Sequence, residues 1–464
     1  MEKFDVVVIG GGPGGYPAAI RAAQLGAKTA LVEREALGGT CLNWGCIPTK
    51  LLIAGGERLA SIESAAQFGI TAGSVSFDYG KLWARKNEVV GQLKDGVSGL
   101  LKANGVTGIK GTASFMDRNR IVVAGSKGQR LLETGKTILA TGSRSVMPKL
   151  FPASPRIVDS KGFLDLQTLP ASLIVVGGGV IGCEFACMAA HLGSAVTIVE
   201  MLPDILTILD ADVRRELKRH MEKTLGIRIL TGAALGDIAD TGSAVRGKAG
   251  DETLEAALML VAVGRAPVTD GLGLDKAGLA VTASGHIEVD AFGQTALASI
   301  FAIGDVTTGV QLAHRATTEG VTVAETAVTG KRIRLGRLVP SCIFTAPEVG
   351  AVGLTEDESK AKGLAVKVGK FPFMALGKAL ASGHPEGFVK WVVDAATDRL
   401  VGAHAVGHGA TELIAEACVA IQAELTAKEF AKTIHSHPTL SEAWVEAAHA
   451  VHGEAVHMVN RKKG

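Results

Sequence analysis

The hydrophobic pattern at the start of the chain predicts a strand, a glycine-rich turn and a helix. Residues 6–9 form a short apolar run, and the next six residues are glycine except for Pro13. Apolar residues then recur at helical spacing from 18 to 25, and a second apolar run at 29–32 ends on Glu33. This order is typical of a strand–turn–helix–strand unit in a parallel sheet.

The same pattern recurs in the middle of the chain. Residues 173–176 are apolar, residues 184–192 have helical spacing, and a second apolar run ends on Glu200. Each unit is followed by a further apolar strand, which leads into Thr141-Gly142 in the first case and into Gly264-Arg265 in the second. The repetition indicates internal duplication of one design.

Both turns carry glycine at the spacing G-x-G-x-x-G. Glycine lets backbone N–H groups approach a pyrophosphate, the N-terminus of the next helix attracts that anion, and an acid about 20 residues further on takes a ribose hydroxyl. Glu33 and Glu200 are the acids in question. A purely structural tight turn is the alternative. The complete units favour two dinucleotide sites, at Gly10, Gly12 and Gly15 and at Gly177, Gly179 and Gly182.

The second site favours NAD over NADP. The carboxylate of Glu200 repels a 2′-phosphate, and the next residues, Met201-Leu202-Pro203, offer no arginine to bind one. Occupation of either site by another nucleotide is the alternative.

A third glycine motif lies late in the chain. A strand at 299–303 ends in Gly304-Asp305, and a helix is predicted to open at 311–314, which includes Ala313. An Asp at the end of a strand can hydrogen-bond a polyol, and a helix N-terminus can stabilise negative charge on a flavin ring. An ordinary loop with a helix cap fits the motif equally well.

Cys41 and Cys46 are separated by four residues. Zinc sites need a second pair of Cys or His ligands, and none is suitably spaced, so we expect no metal. A disulfide needs Cα atoms about 4.4 to 6.8 Å apart, whereas such residues in a regular helix lie about 8.7 Å apart. If the cysteines pair, the helix must be distorted, and Gly45 is the expected place. A pair of this kind in a cytosolic chain is more typical of catalysis than of structure; two unrelated buried thiols are the alternative.

Composition narrows the class of protein. The chain has 464 residues, of which 48 are basic and 46 acidic, so the net charge is +2 and nothing indicates a nucleic-acid partner. No secretory or transit signal is recognisable, and with six cysteines we expect a reducing, cytoplasmic location. An apolar stretch at 173–190 is broken by three glycines, so we interpret it as a strand turning into a helix and expect no membrane span. The basic tail at 461–463 is interpreted as a solvated end.

The last motif is His435-Ser436-His437-Pro438-Thr439-Leu440-Ser441-Glu442. With the two glycine turns, the segment CLNWGCIPTK at 41–50 and the turns at Thr141-Gly142 and Gly304-Asp305, it makes the chain resemble the pyridine nucleotide-disulfide oxidoreductases. Among them it is most similar to the flavoenzymes that oxidise dihydrolipoamide. The resemblance covers essentially the whole chain and implies FAD and NAD as cofactors. It also implies an α/β fold with two Rossmann-like dinucleotide-binding domains and an α+β C-terminal dimerisation domain.

Reduction of a disulfide by a dithiol needs a base near neutral pH, a role that suits histidine, and an acid can orient its ring. The resemblance assigns these roles to His437 and Glu442. It implies that His437 deprotonates a dihydrolipoamide thiol and that the thiolate attacks Cys41. Cys46, beside the flavin, then passes two electrons to FAD, and NAD takes hydride from the flavin.

The resemblance assigns further residues. It implies that Lys50 and Glu184 form an ion pair near the flavin, and that His437-Pro438 is a candidate cis peptide. It counts several residues at strand and helix ends as cofactor contacts: Thr141, Gly142, Gly264, Asp305 and Ala313. The family shares each active site between the two subunits of a homodimer. The lipoyl group is then expected to arrive on the lipoyl domain of a 2-oxo acid dehydrogenase or glycine cleavage complex.

The resemblance also divides the chain into domains. An FAD-binding domain covers 1–145, an NAD-binding domain covers 146–270, a central segment at 271–340 completes the FAD domain, and 341–464 form the interface domain.

Five residues depart from the family pattern. Trp44 stands between the cysteines, where a small aliphatic residue is usual. Pro17 falls in the predicted second turn of the first helix, where it should remove a backbone hydrogen bond and bend the helix. Leu376, Lys378 and His408 replace residues usual in the C-terminal part.

Two other functions compete. A glutathione or mercuric reductase is disfavoured by Glu200 and by the absence of a C-terminal cysteine pair. A non-catalytic flavoprotein, acting as a structural subunit of a complex, would have no chemical need for Cys41, Cys46, His437 and Glu442 together.

Overall fold

A computed structural model describes residues 1–460, so the basic tail at 461–463 lies outside the described residues. The chain packs into two compact units. The first contains Met1–Lys149, Val158–Leu169 and Val263–Arg337, and the second contains Leu150–Ile157, Pro170–Ala262 and the residues from 338 onward. Because this division follows packing alone, the predicted domain boundaries stay a prediction.

The first 169 residues begin with the predicted strand–turn–helix–strand unit. Their elements are β1 (Glu2–Ile9), α1 (Gly15–Gln24), β2 (Thr29–Glu33), α2 (Gly39–Trp44), α3 (Cys46–Ser64), α4 (Tyr79–Ala103), β3 (Thr107–Lys110), β4 (Thr112–Phe115), β5 (Arg120–Gly125), β6 (Gly128–Leu139), β7 (Ser143–Ser145), β8 (Ile157–Val158) and α5 (Ser160–Leu164).

The next segment repeats the unit. Its elements are β9 (Ser172–Val176), α6 (Val180–His191), β10 (Ala195–Glu200), α7 (Ala211–Lys223), β11 (Arg228–Thr231), β12 (Leu235–Asp240), β13 (Val245–Ala249), β14 (Glu252–Ala256) and β15 (Leu258–Val261). The apolar stretch at 173–190 is thus a strand followed by a helix, as predicted. Within residues 1–460, no helix is both long and apolar enough to cross a membrane.

The remaining elements complete the first unit and form a C-terminal α+β module. They are β16 (Arg265–Pro267), α8 (Leu274–Ala277), β17 (Ile300–Ala302), α9 (Ala313–Thr329), β18 (Ser341–Ile343), β19 (Val349–Gly353), α10 (Glu356–Ala361), β20 (Val366–Pro372), α11 (Gly377–Ala381), β21 (Gly387–Asp394), β22 (Leu400–Gly407), α12 (Ala410–Gln422), α13 (Ala427–Ala431) and α14 (Glu442–Ala450). Short 3-10 helices lie at Ala65–Phe68, Gly304–Val306 and Phe373–Ala375.

The two repeated units share an arrangement of four parallel strands, β3-β2-β1-β6 in the first and β11-β10-β9-β15 in the second. The first sheet has the order β3-β2-β1-β6-β5-β4, with β17 also paired to β6, and the second has the order β11-β10-β9-β15-β8. In the first, β1 is parallel to both β2 and β6, with Val7 opposite Ala30 and Thr137. In the second, β9 is likewise parallel to β10 and β15. The predicted duplication and the α/β class are confirmed.

Burial on both faces explains the continuous apolar strands. Val6 and Val8 of β1 pack with the alanines of α1 on one face of the first sheet, and Val7 and Ile9 pack into a second core on the other face. A strand covered on both sides needs no polar alternation.

The C-terminal module is one antiparallel sheet, β18-β19-β22-β21-β20, with helices packed on it. Two fully buried tryptophans join α14 to β21. Their ring centroids lie 4.6 Å apart, and Nε1 of Trp391 donates to the carbonyl of Trp444 at 3.0 Å. This contact fixes the helix that begins at Glu442.

The expectation for Pro17 is wrong in one respect. Pro17 is the third residue of α1 and so lies in its first turn, where N–H groups have no partner within the helix. The carbonyl of Pro13, which an N–H at position 17 would face, lies 3.0 Å from the hydroxyl of Thr317 and accepts from it. The same hydroxyl lies 3.0 Å from the carbonyl of Ala313 and has one hydrogen for both acceptors, so a side chain of α9 replaces the missing donor in part.

Four cysteines lie outside the 41–50 segment. Cys183 and Cys187 are buried, and Cys342 and Cys418 are half-buried against the C-terminal core. All four are packing residues.

Candidate active site

The first glycine turn joins β1 to α1 and is too tight for side chains. Gly10 has a φ of +104°, and a Cβ on Gly15 would lie 1.8 Å from the carbonyl oxygen of Gly10. A Cβ on Gly12 would meet nothing nearer than the Cα of Gly39, at 3.8 Å. The turn itself thus requires Gly10 and Gly15, whereas Gly12 leaves open space where a pyrophosphate can approach the backbone.

The carboxylate of Glu33 is fixed against this turn. Its Oε2 accepts the N–H of Gly11 at 2.7 Å, and its Oε1 accepts the N–H of Glu35 at 2.5 Å. Each carboxylate oxygen has a second lone pair. The acid at the end of β2 is therefore held in place with acceptor capacity left for a ribose hydroxyl.

The second turn has the same construction. Gly177 has a φ of +108°, a Cβ on Gly182 would lie 1.9 Å from its carbonyl oxygen, and a Cβ on Gly179 would meet nothing within 4 Å. Oε2 of Glu200 accepts the N–H of Gly178 at 2.6 Å, and Oε1 accepts the N–H two residues beyond Glu200 at 2.7 Å. Both turns therefore fit a dinucleotide: tight glycines, open backbone at the start of a helix, and a fixed acid.

A series of hydrogen bonds links residues at strand ends within the first compact unit. Oγ of Ser143 donates to Oδ2 of Asp305 at 2.6 Å. Arg265 donates from Nε to Oγ of Ser143 at 2.8 Å and from Nη2 to its carbonyl at 2.7 Å. Thr141 donates from Oγ1 to the carbonyl of Val268 at 2.6 Å. The structure thus brings three predicted turns together, those at Thr141-Gly142, Gly264-Arg265 and Gly304-Asp305.

The helix predicted near 311–314 begins at Ala313. Glu319 on this helix is buried, and its Oε2 accepts the N–H of Gly304 at 2.8 Å while its Oε1 accepts from Nε of Arg315 at 2.7 Å. The turn that carries Asp305 is therefore tied to the first turns of α9, which place Ala313 and its N–H group at a helix N-terminus.

The two cysteines flank a break between helices. Cys41 lies in α2, Cys46 is the first residue of α3, and Gly45 separates them. A Cβ on Gly45 would lie 2.9 Å from the carbonyl oxygen of Thr40, so the break leaves no room for a side chain. The distortion predicted at Gly45 is present.

A hydrogen bond joins the side chains of Cys41 and Cys46. This bond, together with burial, raises the pKa of the Cys41 thiol. A thiol that stays protonated and donates stabilises its acceptor as a thiolate. The guanidinium of Arg265 also lies within electrostatic range of Cys46. Both contacts agree with Cys46 as the thiolate of the reduced pair, and this role stays a prediction.

His437 and Glu442 form a hydrogen-bonded pair at the start of α14. Nδ1 of His437 lies 2.8 Å from Oε1 of Glu442, whose Oε2 accepts the N–H of Thr439 at 2.8 Å. Burial opposes ionisation of Glu442, but these two hydrogen bonds outweigh it and lower the pKa of the carboxyl. Because a carboxylate only accepts, Nδ1 carries the hydrogen and Nε2 carries the lone pair. The His437 side chain is 79% exposed, and the peptide bond to Pro438 is cis, as expected.

Lys50 and Glu184 lie on two different helices. Lys50 lies on α3, one turn after Cys46. Glu184 is buried on α6, and its Oε1 accepts the N–H of Phe344 at 2.9 Å. An ion pair between Lys50 and Glu184 stays a prediction.

Comparison with known proteins gives the chain a family. Residues 4–320 match the pyridine nucleotide-disulphide oxidoreductases, and residues 339–448 match the dimerisation domain of the same family. The chain belongs to this family.

Individual proteins are also similar to this chain over nearly its whole length. The dihydrolipoyl dehydrogenase of Staphylococcus aureus is 42% identical over 460 residues, which are 98% of both chains. The dihydrolipoyl dehydrogenases of Halobacterium salinarum and Thermus scotoductus are 44% and 43% identical, and each alignment covers at least 98% of both chains.

Solved structures show the same architecture. LpdA from Mycobacterium tuberculosis superimposes with a TM-score of 0.90 at 29% identity, covering 97% of this chain and 99% of that one. The HOCl-induced flavoprotein disulfide reductase RclA from Escherichia coli gives a TM-score of 0.86 at 29% identity, covering 95% and 98%.

Trp44, which departs from the family pattern, is fixed by a lysine. Nζ of Lys161 lies 4.2 Å from the centroid of the indole ring, a cation–π distance, and also 2.5 Å from Oε1 of Glu35. The ring between the two cysteines is thereby tied to the loop after β2.

The other departures lie in the C-terminal module. Leu376 is buried in its core, Lys378 lies on α11, and the ring of His408 stacks on that of His384 with centroids 4.2 Å apart. Within residues 1–460, no group of three or more His, Cys, Asp or Glu side chains could hold a metal ion.

Sequence reasoning missed Ser143, Arg265 and His435 as parts of the site. Ser143 and Arg265 directly follow two of the glycines singled out, so their position was the available signal. His435 lies two residues before His437, and its Nε2 lies 2.5 Å from Oε1 of Glu416 while its Nδ1 lies 2.9 Å from the carbonyl of Thr433. Both ring nitrogens thus face acceptors, which anchors the segment that carries His437.

Proposed function

We propose that the chain oxidises dihydrolipoamide to lipoamide through Cys41 and Cys46, with NAD⁺ as the final acceptor. The observation that carries the proposal is the thiol pair at the break between α2 and α3. Relatives of this chain that are 40–44% identical over their whole length are dihydrolipoyl dehydrogenases. The cofactors are FAD and NAD, as membership of the family implies.

The reaction begins with a base. Nε2 of His437 carries a lone pair because Nδ1 donates to Glu442. It can therefore take the proton of a dihydrolipoamide thiol, and the carboxylate of Glu442 stabilises the imidazolium that forms.

Thiol–disulfide exchange follows. In the oxidised enzyme the substrate thiolate attacks Sγ of Cys41, a mixed disulfide forms, and Cys46 leaves as a thiolate. The second thiol of the substrate then displaces Cys41 and closes the ring of lipoamide. Its proton passes to the displaced Cys41, which ends as a thiol. The hydrogen bond between the two thiols and the nearby Arg265 both favour Cys46 as the thiolate that remains.

The two glycine turns hold the cofactors in this proposal. Gly10, Gly12, Gly15 and Glu33 would hold the dinucleotide part of FAD, with Asp305 for a polyol hydroxyl, the turn at Thr141-Gly142 and the N–H group of Ala313 nearby. Bound FAD supplies the acceptor for two electrons from the reduced cysteines and the hydride for NAD⁺. Gly177, Gly179, Gly182 and Glu200 would hold NAD, with Gly264 as a further contact.

Glu200 also supports NAD over NADP. Both of its oxygens accept backbone N–H groups, so the carboxylate is fixed as an anion at the end of β10. A fixed negative charge at this place repels a 2′-phosphate and suits a ribose hydroxyl.

The wider setting rests on the family. The chain carries the family's dimerisation domain, and we propose a homodimer in which His437 of one subunit serves the cysteines of the other. The substrate would arrive on the lipoyl domain of a 2-oxo acid dehydrogenase or glycine cleavage complex. We also propose a cytoplasmic location, on the ground that six cysteines in a chain of this length suit a reducing compartment.

The test is an assay of the purified holoenzyme with dihydrolipoamide and with reduced glutathione, each with NAD⁺ and with NADP⁺. We expect NADH to form with dihydrolipoamide, and little or no product with reduced glutathione or with NADP⁺. Replacement Cys46→Ser should abolish the long-wavelength absorption band that forms on two-electron reduction, because that band needs a thiolate beside the flavin. Cys418→Ser, a half-buried cysteine of the C-terminal core, is the control and should keep the band.

Two results would overturn the proposal. A preparation that stays colourless and inactive after addition of FAD would show that the chain is not a flavoenzyme. A preparation that binds flavin but is reduced by glutathione in preference to dihydrolipoamide would show that dihydrolipoamide is not the substrate.

A further inference from the structure

The loop that joins β2 to α2 lies against the first glycine turn. The N–H of Gly38 donates to the carbonyl of Gly11 at 2.8 Å, and a Cβ on the next residue would lie 2.7 Å from the Cα of Gly12. At the start of the loop, the N–H of Glu35 donates to Oε1 of Glu33, the acid proposed to take a ribose hydroxyl of FAD. The loop therefore borders the proposed FAD site at the pyrophosphate turn and at the ribose acid, and we expect it to move before FAD can leave.

One lysine contacts the segment from Glu35 to Trp44 at both of its ends. Nζ of Lys161, on α5, lies 2.5 Å from Oε1 of Glu35, at the start of the loop. The same ammonium lies 4.2 Å from the centroid of the indole ring of Trp44, the last residue of α2. A single cation thus joins the two ends of this segment and ties both of them to a helix that lies outside it.

These contacts can hold the segment and still open. The side chains of Lys161 and Glu35 are 42% and 49% exposed, so their ion pair is weak and is screened by salt. Trp44 is half-buried, and indole attracts an ammonium at this distance more strongly than the other aromatic rings do. Nζ of Lys110 also donates to the backbone carbonyl of Glu35. Several modest contacts therefore act together at the edge of the loop.

The proposed reaction makes no use of Trp44, Lys161 or Glu35. None of the three is among the residues assigned to the thiol exchange or to contact with a cofactor. Trp44 stands where the family usually has a small aliphatic residue, and an aliphatic side chain there could not attract an ammonium. The contact between Trp44 and Lys161 therefore depends on the departure from the family pattern.

We propose that Trp44, Lys161 and Glu35 form a strap that holds the loop between β2 and α2 closed over bound FAD and slows release of the cofactor. The loop can lift from the first glycine turn only after the ammonium has left the carboxylate or the ring. The strap acts on how long FAD stays bound and has no part in the transfer of electrons or protons. This inference rests on the proposed assignment of FAD to the first turn.

Exchange of the bound flavin tests the strap. Each holoenzyme is mixed with a large excess of isotopically labelled FAD, and replacement of the bound flavin is followed by mass spectrometry. Lys161→Met removes the ammonium, Trp44→Leu removes the ring, and Lys161→Arg keeps a cation that can stack on indole and pair with a carboxylate. Lys28→Met is the matched control. Lys28 also lies over a ring, that of Phe4 at 5.2 Å, but it precedes β2 and so lies at the end of that strand opposite the loop.

We expect Lys161→Met and Trp44→Leu each to exchange FAD about 3- to 5-fold faster, the size expected for loss of one exposed cation–π contact. The two changes combined should be no faster than Lys161→Met alone, because both remove the same contact. Added salt should speed exchange more in the unaltered enzyme than in Lys161→Met, since it screens the ion pair. Lys161→Arg and Lys28→Met should exchange at the unaltered rate, and dihydrolipoamide should reduce the flavin of Lys161→Met as fast as before.

Three results would overturn the inference. If Lys161→Met and Trp44→Leu exchange FAD as slowly as the unaltered enzyme, the strap does not retain the cofactor. If the two changes add in the combined variant, the ring and the lysine act separately and form no strap. If exchange is unaltered but dihydrolipoamide reduces the flavin more slowly, the contact positions the cysteine pair instead. In each case the unaltered enzyme still binds FAD and reacts with dihydrolipoamide, whereas failure of the proposed function would show in the unaltered enzyme itself.

Discussion

The two glycine turns are built alike but are enclosed to different degrees. In both, a Cβ on the third glycine would lie within 2 Å of the carbonyl oxygen of the first, at 1.8 Å for Gly15 and 1.9 Å for Gly182. Around the first turn, the backbone of other elements also comes close. A Cβ on Gly320 of α9 would lie 2.2 Å from the carbonyl of Gly14, and a Cβ on Gly39 would lie 2.7 Å from the Cα of Gly12. Around the second turn the close neighbours are side chains instead: a Cβ on Gly178 would lie 2.6 Å from the side chain of Ile205 and 3.1 Å from that of Glu200.

This difference matches two kinds of ligand. A turn covered by α9 and by the loop before α2 can release its ligand only if that packing opens, which suits a cofactor that stays bound. A turn bordered by side chains can open when those side chains move, which suits a cosubstrate that must enter and leave in each cycle. The glycine turn that both units share is expected to recognise a dinucleotide. The residues around each turn are expected to determine how long that ligand stays bound.

The largest effect is expected where the two turns are the same. Gly15→Ala and Gly182→Ala each force a methyl group against a backbone carbonyl, and overpacking of this severity should cost about 3 kcal/mol or more. Gly15→Ala should give protein without flavin, whereas Gly182→Ala should give yellow protein that dihydrolipoamide reduces and NAD⁺ does not reoxidise. Flavin absorbance per chain and thermal unfolding measure both effects.

Gly91→Ala is the control, because its Cβ on α4 would meet nothing within 4 Å. It should stabilise the chain by about 0.5–1 kcal/mol, as alanine does in a helix interior. Equal loss of flavin from the Gly15 and Gly182 variants would contradict the assignment of one ligand to each turn.

Much of this comparison was predictable from the sequence, but the enclosure was not. The glycine spacing and the acids Glu33 and Glu200 predict both turns, because the constraint is local and each residue acts on its near neighbours. The contact of Gly320 with Gly14 joins residues about 300 positions apart, and Gly320 sits in an unremarkable stretch of a helix. Such an approach depends on how two helices cross.

The same limit applies to the reactive residues. The motif at 435–442 indicates His437 and Glu442 because their spacing is short. The hydrogen bonds between Arg265 and Ser143 were not predictable, because these residues become partners only when β7 pairs with β16. Pro17 shows the reverse error: its cost was expected from local rules, and Thr317, which is distant in sequence, offsets part of it.

The next largest effect is expected at the glycines where an added Cβ would meet open space. Gly12→Ala and Gly179→Ala should leave the apo chain as stable as before, since neither Cβ meets an atom closer than 3.8 Å. The methyl group would instead stand where a pyrophosphate approaches the backbone, so affinity should fall by about 100-fold, or ~2.8 kcal/mol. Titration of apoprotein with FAD for the first variant and of holoenzyme with NADH for the second measures it.

The outcome distinguishes a binding turn from a structural one. Unaltered affinity in either variant would show that the corresponding turn is only a tight connection. If Gly179→Ala loses FAD but still binds NADH, the second turn would be the FAD site, contrary to the proposal.

A smaller effect is expected from the two acids. Glu33→Gln and Glu200→Gln keep one acceptor oxygen but turn an NH₂ group toward a backbone N–H, which should cost about 1.5–3 kcal/mol where the group is buried. Glu200 is only 8% exposed, so its variant should lose more stability. Loss of the negative charge should also raise kcat/KM for NADP⁺ relative to NAD⁺ in Glu200→Gln. If Glu200→Gln keeps the preference for NAD⁺ over NADP⁺, Glu200 does not select between them. The same conclusion would follow if Glu33→Gln changed that preference equally.

The smallest effect tests a feature that only the first turn has. Pro17 lacks an N–H, and the hydroxyl of Thr317 donates to the carbonyl of Pro13 instead; the equivalent position in the second unit, Glu184, keeps its N–H. Thr317→Val should therefore reduce the free energy of unfolding by about 1 kcal/mol. In a Pro17→Ala background, where a backbone N–H can reach Pro13, the same change should cost at least ~0.5 kcal/mol less. Urea unfolding of the four proteins measures the coupling, and equal costs in both backgrounds would mean that Thr317 does not replace the missing donor.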